Sequence, residues 1–411
     1  MPKFAFFVTP HTGGTFTVFR SLRAELAPRG VELRWMGPCA RARLLADPHW
    51  AGEADRGEAI DVPGAIDDLA QARAMAARLE AGGYDGVFVN VLSDRAATNL
   101  VRHLPERLVR IMIVHNITPG TYAAAASIRV HVHATVCVCQ RARDDLCRHH
   151  GFRPGRTLVI PNAVTLPDAL PHPAPHLEDR TLRVLFLGRI EDASKGVMLL
   201  PSILHRLPPT VTLTVAGDGP DAKRLKAALA PFAGRARMLG AVPSAEVPAL
   251  LARHDALLMP SRFEGMPMAL IEAMAMGCVP VASRIEGVTD TIVHHAHNGL
   301  LFPMGSAKAA AECIAALAAD PAWRVGLAAA ARGTARNLHS GAEMGAAYAR
   351  LIAEVQHRRP AIADPLPFED WKLPRGLRAG LRTHLPRPVK NALRLARERL
   401  RTGFLPREDW R

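Results

Sequence analysis

Two basic side chains stand at a spacing suited to holding a diphosphate. In residues 188–196 (GRIEDASKG), Arg189 follows the end of a predicted strand, and Lys195 comes six residues later at a predicted helix start. Cations beside the free N–H groups of a helix start bind phosphate groups. They also stabilise the negative charge that develops when a nucleoside diphosphate leaves. The same two residues would serve equally as surface charges, so this segment alone leaves both interpretations open.

A second pattern, residues 260–277 (PSRFEGMPMALIEAMAMG), carries two carboxylates. A predicted strand ends at Met259, a glycine loop follows, and Pro267 occupies a predicted first helical position. Glu264 and Glu272 could accept hydrogen bonds from sugar hydroxyls at different points of one ligand. The alternative is that Glu264 caps the helix and Glu272 lies on a solvated face. The complete string favours ligand binding, although Glu272 alone would not.

Two weaker signals lie nearer the N-terminus. Residues 12–15 (TGGT) follow the first predicted strand, and Gly14 there could let the backbone approach a phosphate, or could form a plain turn. His115 follows a buried strand directly, so its imidazole could bond a ligand hydroxyl or phosphate. A strand-end histidine bonded within the protein is the alternative.

The composition is that of a soluble globular protein. The chain has 411 residues, 49% hydrophobic and 22% charged, which predicts two or three domains and excludes a disordered chain, a collagen-like repeat or a small disulfide scaffold. A net charge of +14 favours anionic partners: nucleotide diphosphates, anionic lipid or nucleic acid. No apolar run is long enough to span a membrane and no signal peptide is recognisable, so we expect a cytoplasmic protein.

The six cysteines form no C-x-x-C pair and are expected to be reduced thiols. A metal site at Cys137 and Cys139, with His131 and His133 nearby, is a minor alternative. No D-x-D motif occurs, so the sequence does not support a diphosphate clamp made of metal and carboxylates.

Strands and helices alternate along the chain, which predicts the α/β class with two doubly wound, Rossmann-like parallel-sheet domains facing a central cleft. Strands are predicted at 3–8, 86–92, 108–114, 134–139, 158–160, 182–188, 211–216, 256–259, 279–282 and 300–302. Helices are predicted at 18–26, 66–81, 198–207, 222–230, 246–254, 268–276, 307–318, 321–332 and 343–355.

The expected domains are 1–165, then a proline-rich linker at 166–180, then 181–345, and finally a closing helix with a basic tail at 346–411. Residues 365–411 contain 12 Lys and Arg against 5 Asp and Glu, and 387–401 could form a basic helix. The segment 365–411 is therefore a candidate for peripheral contact with an anionic membrane. The alternative is a solvated tail that wraps the N-terminal domain.

Together these motifs resemble the retaining glycosyltransferases of family 4, which have the GT-B fold. The resemblance rests on the glutamates of the E-x7-E arrangement, on the GR and KG pairs of 188–196, and on four further strings. These are AGDGP at 216–220, VPVAS at 279–283, NGL at 298–300 and IPNAV at 160–164.

The resemblance implies a role for each candidate residue. Arg189 and Lys195 would hold the diphosphate, Glu264 and His115 would contact the donor sugar, and together these four are the predicted catalytic residues. The predicted donor-binding residues are Gly14, Gly265, Met266, Pro267 and Glu272. No metal and no cofactor is implied, because the nucleotide sugar is a substrate.

We therefore predict a retaining glycosyltransferase that moves a sugar from a nucleotide-diphosphate sugar to a hydroxyl of a glycan or glycolipid. The expected setting is surface polysaccharide, lipopolysaccharide or glycolipid synthesis in the cytoplasm or at the cytoplasmic membrane face. No residue stands out as a covalent nucleophile, and the resemblance implies a front-face route. The alternatives are a sugar-nucleotide epimerase, a phosphorylase on the same fold, or a basic protein that binds membrane surfaces. Nucleic acid is not an expected partner, because no nucleic-acid-binding motif is recognisable.

Overall fold

The computed structural model describes residues 1–11, 13–61, 67–91, 94–163, 181–338 and 340–378, with a few residues between 385 and 396. The described residues form two compact units. Unit 1 contains residues from 1–165 and 339–378, and unit 2 contains those from 181–338. Each unit has one parallel sheet with helices between its strands, which confirms the predicted class. The predicted linker at 166–180 lies outside the described residues.

Each sheet follows the doubly wound order, in which the chain starts near the middle and proceeds to one edge and then the other. In unit 1 the order is β3-β2-β1-β4-β5-β6-β7, and in unit 2 it is β10-β9-β8-β11-β12-β13. The strands are β1 Lys3–Phe7, β2 Glu32–Pro38, β3 Gly57–Ile60, β4 Gly86–Asn90, β5 Val109–Val114, β6 Ala134–Cys137, β7 Thr157–Val159, β8 Leu182–Leu187, β9 Val211–Ala216, β10 Ala236–Gly240, β11 Ala256–Met259, β12 Val279–Ser283 and β13 Leu300–Phe302.

Most helices connect successive strands, and the last three helices follow the final strand. Those of unit 1 are α1 Gly14–Leu26, α2 Arg41–Ala46, α3 Asp68–Ala81, α4 Arg95–Leu100, α5 Pro119–Ile128 and α6 Gln140–His149. Those of unit 2 are α7 Asp192–Lys195, α8 Leu200–His205, α9 Ala222–Leu229, α10 Val247–Ala252, α11 Met268–Ala275, α12 Ala307–Ala319 and α13 Pro321–Leu338. The last helix, α14 Gly341–Arg358, returns to unit 1.

Apolar runs made the central strands predictable. Every residue of β4, β5, β11 and β12 is buried, as strands covered by helices on both faces require. Strands β2, β3 and β10 were not predicted. The pattern in β10 leaves all five residues at least partly exposed at the sheet edge, and β2 carries Glu32 and Arg34 among its apolar residues. Neither strand has the unbroken apolar run by which its neighbours were found.

The C-terminal boundary differs from the expected one. Helix α14 packs on α1, and Arg29, just after α1, donates a 3.0 Å hydrogen bond to the carbonyl of Ala342. Residues 340–378 therefore belong to unit 1 rather than to a domain that ends at 345. We call residues 359–378 the C-terminal strap. Ala363 N–H donates to the Val130 carbonyl at 2.7 Å, and the strap thereby lies along unit 1. The predicted helix at 387–401 lies largely outside the described residues.

No single helix in the described part of the chain has both the length and the apolar character of a membrane-spanning helix. Helix α12 and residues 321–337 meet those criteria only as a pair, and the chain bends by 107° between them.

Candidate functional site

The predicted diphosphate and sugar residues of unit 2 lie on two loops that follow neighbouring strands. We call residues 188–196, which follow β8, the lysine loop, and residues 260–267, which follow β11, the glutamate loop. Since β8 and β11 are paired in parallel, their carboxyl ends lie at the same edge of the sheet. In open parallel sheets ligands bind outside that edge.

Backbone contacts hold the two loops together. The N–H groups of Arg262 and Phe263 both donate to the Ser194 carbonyl, at 2.7 and 3.3 Å. Gly196 has φ +64°, and a Cβ there would lie 2.2 Å from the carbonyl oxygen of Pro260. Only glycine fits this contact, so the spacing between the loops depends on it.

An arginine reinforces the same junction. The Arg262 guanidinium contacts the Asp192 carboxylate at 3.2 Å and also donates to the Asp192 carbonyl oxygen. The Asp192 carboxylate also accepts the backbone N–H of Met198 at 3.0 Å, which fixes the turn that follows Lys195. Arg262 therefore positions the turn that carries Lys195.

The structure brings Lys195 and Glu264 into direct contact. Lys195 Nζ lies 2.6 Å from Glu264 Oε1, with side chains 27% and 8% exposed. Glu264 does not cap α11, since no side chain caps the start of that helix and its N-cap residue is Pro267. The capping alternative is therefore wrong, and the first-turn N–H groups of α11 stay available to an anion.

Arg189 differs from Lys195 in having no partner. It is exposed, and its guanidinium makes no hydrogen bond or ion pair with any residue that the structure describes. Its backbone is nevertheless fixed, because Ile190 N–H donates to the Asp218 carbonyl at 2.8 Å. Gly217, at φ +136°, packs so closely that a Cβ would lie 1.9 Å from the Gly188 carbonyl oxygen. The AGDGP string thus holds the base of Arg189 while leaving its charge uncompensated.

The remaining unit 2 candidates surround the start of α11. Gly265 and Pro267 are buried, and Met266 is partly buried, just before the first helical residue. Glu272 lies one turn further along the helix than Met268. Burial raises the pKa of the Glu272 carboxyl above its ordinary value.

In unit 1, three neighbouring strands end around His115. Asn90 donates from Nδ2 to the Phe7 carbonyl at 2.8 Å, so its Oδ1 is the atom that accepts from His115 Nε2 at 2.7 Å. The hydrogen of the neutral ring therefore sits on Nε2, and Nδ1 is an acceptor. Burial lowers the pKa of His115 to about 4, so the ring is neutral near pH 7.

Gly14 is the exposed first residue of α1, and no side chain caps that helix. The N–H groups at the start of α1 therefore have no side-chain cap, and a role for Gly14 in binding phosphate stays a prediction. Thr12 lies outside the described residues. In unit 1, His115 and Gly14 thus both lie at the carboxyl edge of the sheet.

Several residues at these edges were not predicted from the sequence. Arg262 and Asp192 were not singled out, although both lie inside the quoted motifs. A cavity of about 280 Å³ also opens beyond the ends of β1 and β2, and His11, Asp94 and Gly37 are among its lining residues. A polar residue in the loop that follows a buried strand, as His11 is in the loop after β1, was the available signal.

The minor alternative of a metal site at the cysteines gains no support. Burial raises the pKa of Cys139 to about 11, so this thiol stays protonated. Within the described ranges, no three His, Cys, Asp or Glu residues cluster in a way that could hold a metal ion.

The chain matches two family models, one on each side of the predicted linker. Residues 12–166 match the model described as Glycosyltransferase Family 4, and residues 181–320 match Glycosyl transferases group 1. Among curated proteins, the chain is 31% identical over 249 residues to the D-inositol 3-phosphate glycosyltransferase of Xylanimonas cellulosilytica, which covers 56% of this chain and 58% of that protein. It is 28% identical over 169 residues to the gpi3 subunit of phosphatidylinositol N-acetylglucosaminyltransferase of Schizosaccharomyces pombe, covering 40% of this chain and 37% of that one. These matches span less than two thirds of either relative.

Two solved structures share the fold over most of the chain. One is HepE of Anabaena in complex with UDP and glucose, with a TM-score of 0.69, 18% identity, and coverage of 86% of this chain and all of that one. The other is the sucrose-phosphate synthase of Thermosynechococcus elongatus, with a TM-score of 0.70, 18% identity, and coverage of 87% and 100%. With the two family models matching successive parts of the sequence, the chain belongs to the family 4 glycosyltransferases.

Proposed function

We propose that this protein transfers a sugar from a nucleoside-diphosphate sugar to an acceptor hydroxyl, with retention at the anomeric carbon. This proposal rests mainly on the groups that lie together at the carboxyl edge of the sheet in unit 2. A free guanidinium, an ammonium paired to a carboxylate and an uncapped helix start lie on two loops that are tied together. That set supplies donors to a diphosphate and acceptors to a sugar.

Each group has a part in the reaction. The bond between the anomeric carbon and the β-phosphate oxygen breaks, and its electron pair stays on that oxygen. Arg189 and Lys195 stabilise the resulting charge, aided by the N–H groups at the start of α11. Glu264 and Glu272 accept hydrogen bonds from the donor, Glu264 from the sugar and Glu272 from the ribose.

The acceptor oxygen bonds to the anomeric carbon on the face that the leaving group occupied, and its proton passes to the departing phosphate. Glu264 is a poor candidate for a covalent nucleophile, because its charge is already engaged by the Lys195 ammonium at 2.6 Å. This supports the front-face route over a covalent intermediate.

The comparisons support the substrate classes. HepE was solved with UDP and glucose, which favours a nucleoside-diphosphate donor. Both relatives described above act on inositol-containing acceptors by name, which favours a polyol, glycan or glycolipid hydroxyl here. The cavity beside His11 and Asp94 in unit 1 is the candidate acceptor pocket. The setting we propose is cell-surface glycan or glycolipid synthesis on the cytoplasmic side.

The test is a screen of UDP- and GDP-sugars for binding by calorimetry and for hydrolysis or transfer, in the presence of EDTA. We expect Arg189→Ala and Lys195→Ala each to lower turnover by about 10²-fold, the usual effect of losing one electrostatic group. Lys223→Ala and Arg224→Ala remove the same charges from exposed positions on α9 and should leave turnover unchanged.

Three outcomes of the screen would count against the proposal. Near-normal kinetics in both loop variants would remove the diphosphate assignment. Activity that is lost in EDTA and restored by Mn²⁺ would remove the metal-free mechanism. A product with inverted anomeric configuration would contradict retention, and phosphorolysis or epimerisation of the nucleotide sugar would contradict sugar transfer. Nuclear magnetic resonance of the product distinguishes these reactions.

We also propose peripheral membrane contact through the basic residues of the C-terminal segment. The strap at 359–378 lies on unit 1, which favours the wrapping alternative for that part. A deletion should therefore begin after residue 378, because a shorter chain ending at 364 would also remove packed residues. Full-length protein is expected to pellet with phosphatidylglycerol vesicles more than residues 1–378 do, and equal pelleting would remove the membrane role.

A further inference from the structure

A second cavity in unit 1 lies at the opposite edge of the sheet from His115 and Gly14. Its volume is about 270 Å³, and its lining includes the first residues of β6 and β7 and residues 361–363 of the C-terminal strap. Amino and carboxyl ends of parallel strands lie at opposite edges of a sheet. This cavity is therefore separate from the candidate transfer site and from the candidate acceptor pocket.

The lining is strongly basic. Arg129, Arg153 and Arg156 line the cavity, and no Asp or Glu does. Arg129 donates to the Ala126 carbonyl and Arg156 to the Ala361 carbonyl, both at 2.8 Å. Within the described ranges none of the three pairs with a carboxylate.

Other arginines of this unit do have acidic partners. Arg23 contacts Glu53 at 2.8 Å, and Arg78 contacts Glu58 at 2.7 Å. Three guanidinium groups around one concavity repel each other, and each keeps donors that the protein does not use. A bound anion would relieve the repulsion and accept those hydrogen bonds.

Two further features point to a ligand with a phosphate group on a larger body. Thr135 is only 3% exposed and lines the cavity, yet its hydroxyl makes no hydrogen bond to any described residue. Val130, 51% exposed, and Phe152 add apolar surface to the same lining. Guanidinium forks match phosphate oxygens in pairs, a buried hydroxyl adds one more donor, and the apolar side suits a sugar ring or an acyl glycerol.

We propose that this cavity binds the phosphate group of a phosphorylated small molecule or of a phospholipid headgroup, with Arg129, Arg153, Arg156 and Thr135 as its donors. Arg156 also bonds the strap, so the occupied cavity joins the ligand to the C-terminal part of unit 1. The site is independent of the proposed sugar transfer, which uses the other edge of the sheet.

The experiment measures binding of inorganic pyrophosphate to the full chain by calorimetry at low ionic strength. The test variant is Arg129→Ala/Arg153→Ala, which leaves the Arg156 contact to the strap intact. Arg148→Ala is the control, because Arg148 is an exposed arginine of α6 that does not line the cavity. The Arg189→Ala/Lys195→Ala variant removes the proposed donor site. Pyrophosphate binding that remains in this variant therefore belongs to the cavity and not to the donor site.

We expect the test variant to bind at least tenfold more weakly at the cavity, and the control and the donor-site variant to keep that binding. Thr135→Val, which conserves shape, should weaken it severalfold and serves if the double variant fails to fold. Affinity unchanged in the test variant and in Thr135→Val, or no binding beyond that lost with the donor site, would overturn the proposal.

Sedimentation with vesicles of phosphatidylglycerol in phosphatidylcholine identifies the source of the phosphate. Weaker pelleting of the test variant than of the Arg148→Ala control assigns the cavity to a lipid headgroup. Equal pelleting, with pyrophosphate binding still lost, assigns it to a soluble phosphorylated molecule.

Discussion

Acidification from pH 7 to pH 5 should destabilise unit 1 through two buried histidines beneath the C-terminal strap. Burial lowers the pKa of both His131 and His133 to about 4, and the Arg110 guanidinium lowers both further. The Nδ1 atom of His133 accepts a hydrogen bond from the backbone N–H of Arg110 at 3.0 Å. Protonation of Nδ1 would break this buried hydrogen bond. The folded state therefore favours the neutral form of both rings.

The sign and size follow from proton linkage. Each histidine has a folded pKa of about 4 and an ordinary pKa of about 6.5 in the unfolded chain. The stabilisation is thus fully present above pH 6.5 and is lost as the pH falls toward 4, because the unfolded chain binds the protons first. At pH 5 the loss relative to pH 7 is about 2 kcal/mol for each residue.

The assay is urea unfolding at pH 7, 6 and 5, followed by tryptophan fluorescence, to which the buried Trp35 of unit 1 contributes. In the His133→Asn variant the amide oxygen can accept the Arg110 N–H but does not titrate, so the loss between pH 7 and 5 should shrink by about 2 kcal/mol. His149→Asn, at an exposed position on α6, is the matched control and should keep the full loss. An unchanged pH dependence in His133→Asn would refute the reasoning.

Three further predictions concern the candidate transfer site. A double-mutant cycle of Lys195→Met and Glu264→Gln should show a coupling of about 1–3 kcal/mol in the free energy of unfolding, because each single change leaves a largely buried charge unpaired; additive effects would mean that the 2.6 Å pair contributes nothing. Arg262→Ala should lower kcat by about tenfold or more, because the loss of Arg262 frees the turn that carries Lys195. The control variant Arg253→Ala, at an exposed position, should keep a normal kcat; a change in KM alone for Arg262→Ala would contradict a positioning role. Finally, kcat/KM should show no break near pH 6.5 attributable to His115, because burial keeps that ring neutral down to about pH 4; a break there that disappears in His115→Gln would show that the ring titrates normally.

The central strands, both sheets and the motifs that follow strands were predictable because each depends on local sequence. Strands covered on both faces need unbroken apolar runs, and a glycine loop before a helix start indicates where an anion can approach. Edge strand β10 was missed because its residues stay partly exposed, so nothing in its composition requires burial. The same limit applied to β2, whose charged residues interrupt the apolar pattern.

The sequence by itself determined the α/β class, the order of most elements and the residue types at the candidate site. Only the tertiary structure decided that Lys195 binds Glu264, that Arg189 has no partner among the described residues, and that Arg262 reaches across to Asp192. Only it showed that residues 340–378 return to unit 1 and that residues 361–363 line a basic cavity there. The physical reason is that periodicity and turn chemistry act over a few residues, whereas these contacts join positions about 70 to 205 residues apart, which only the folded chain brings together.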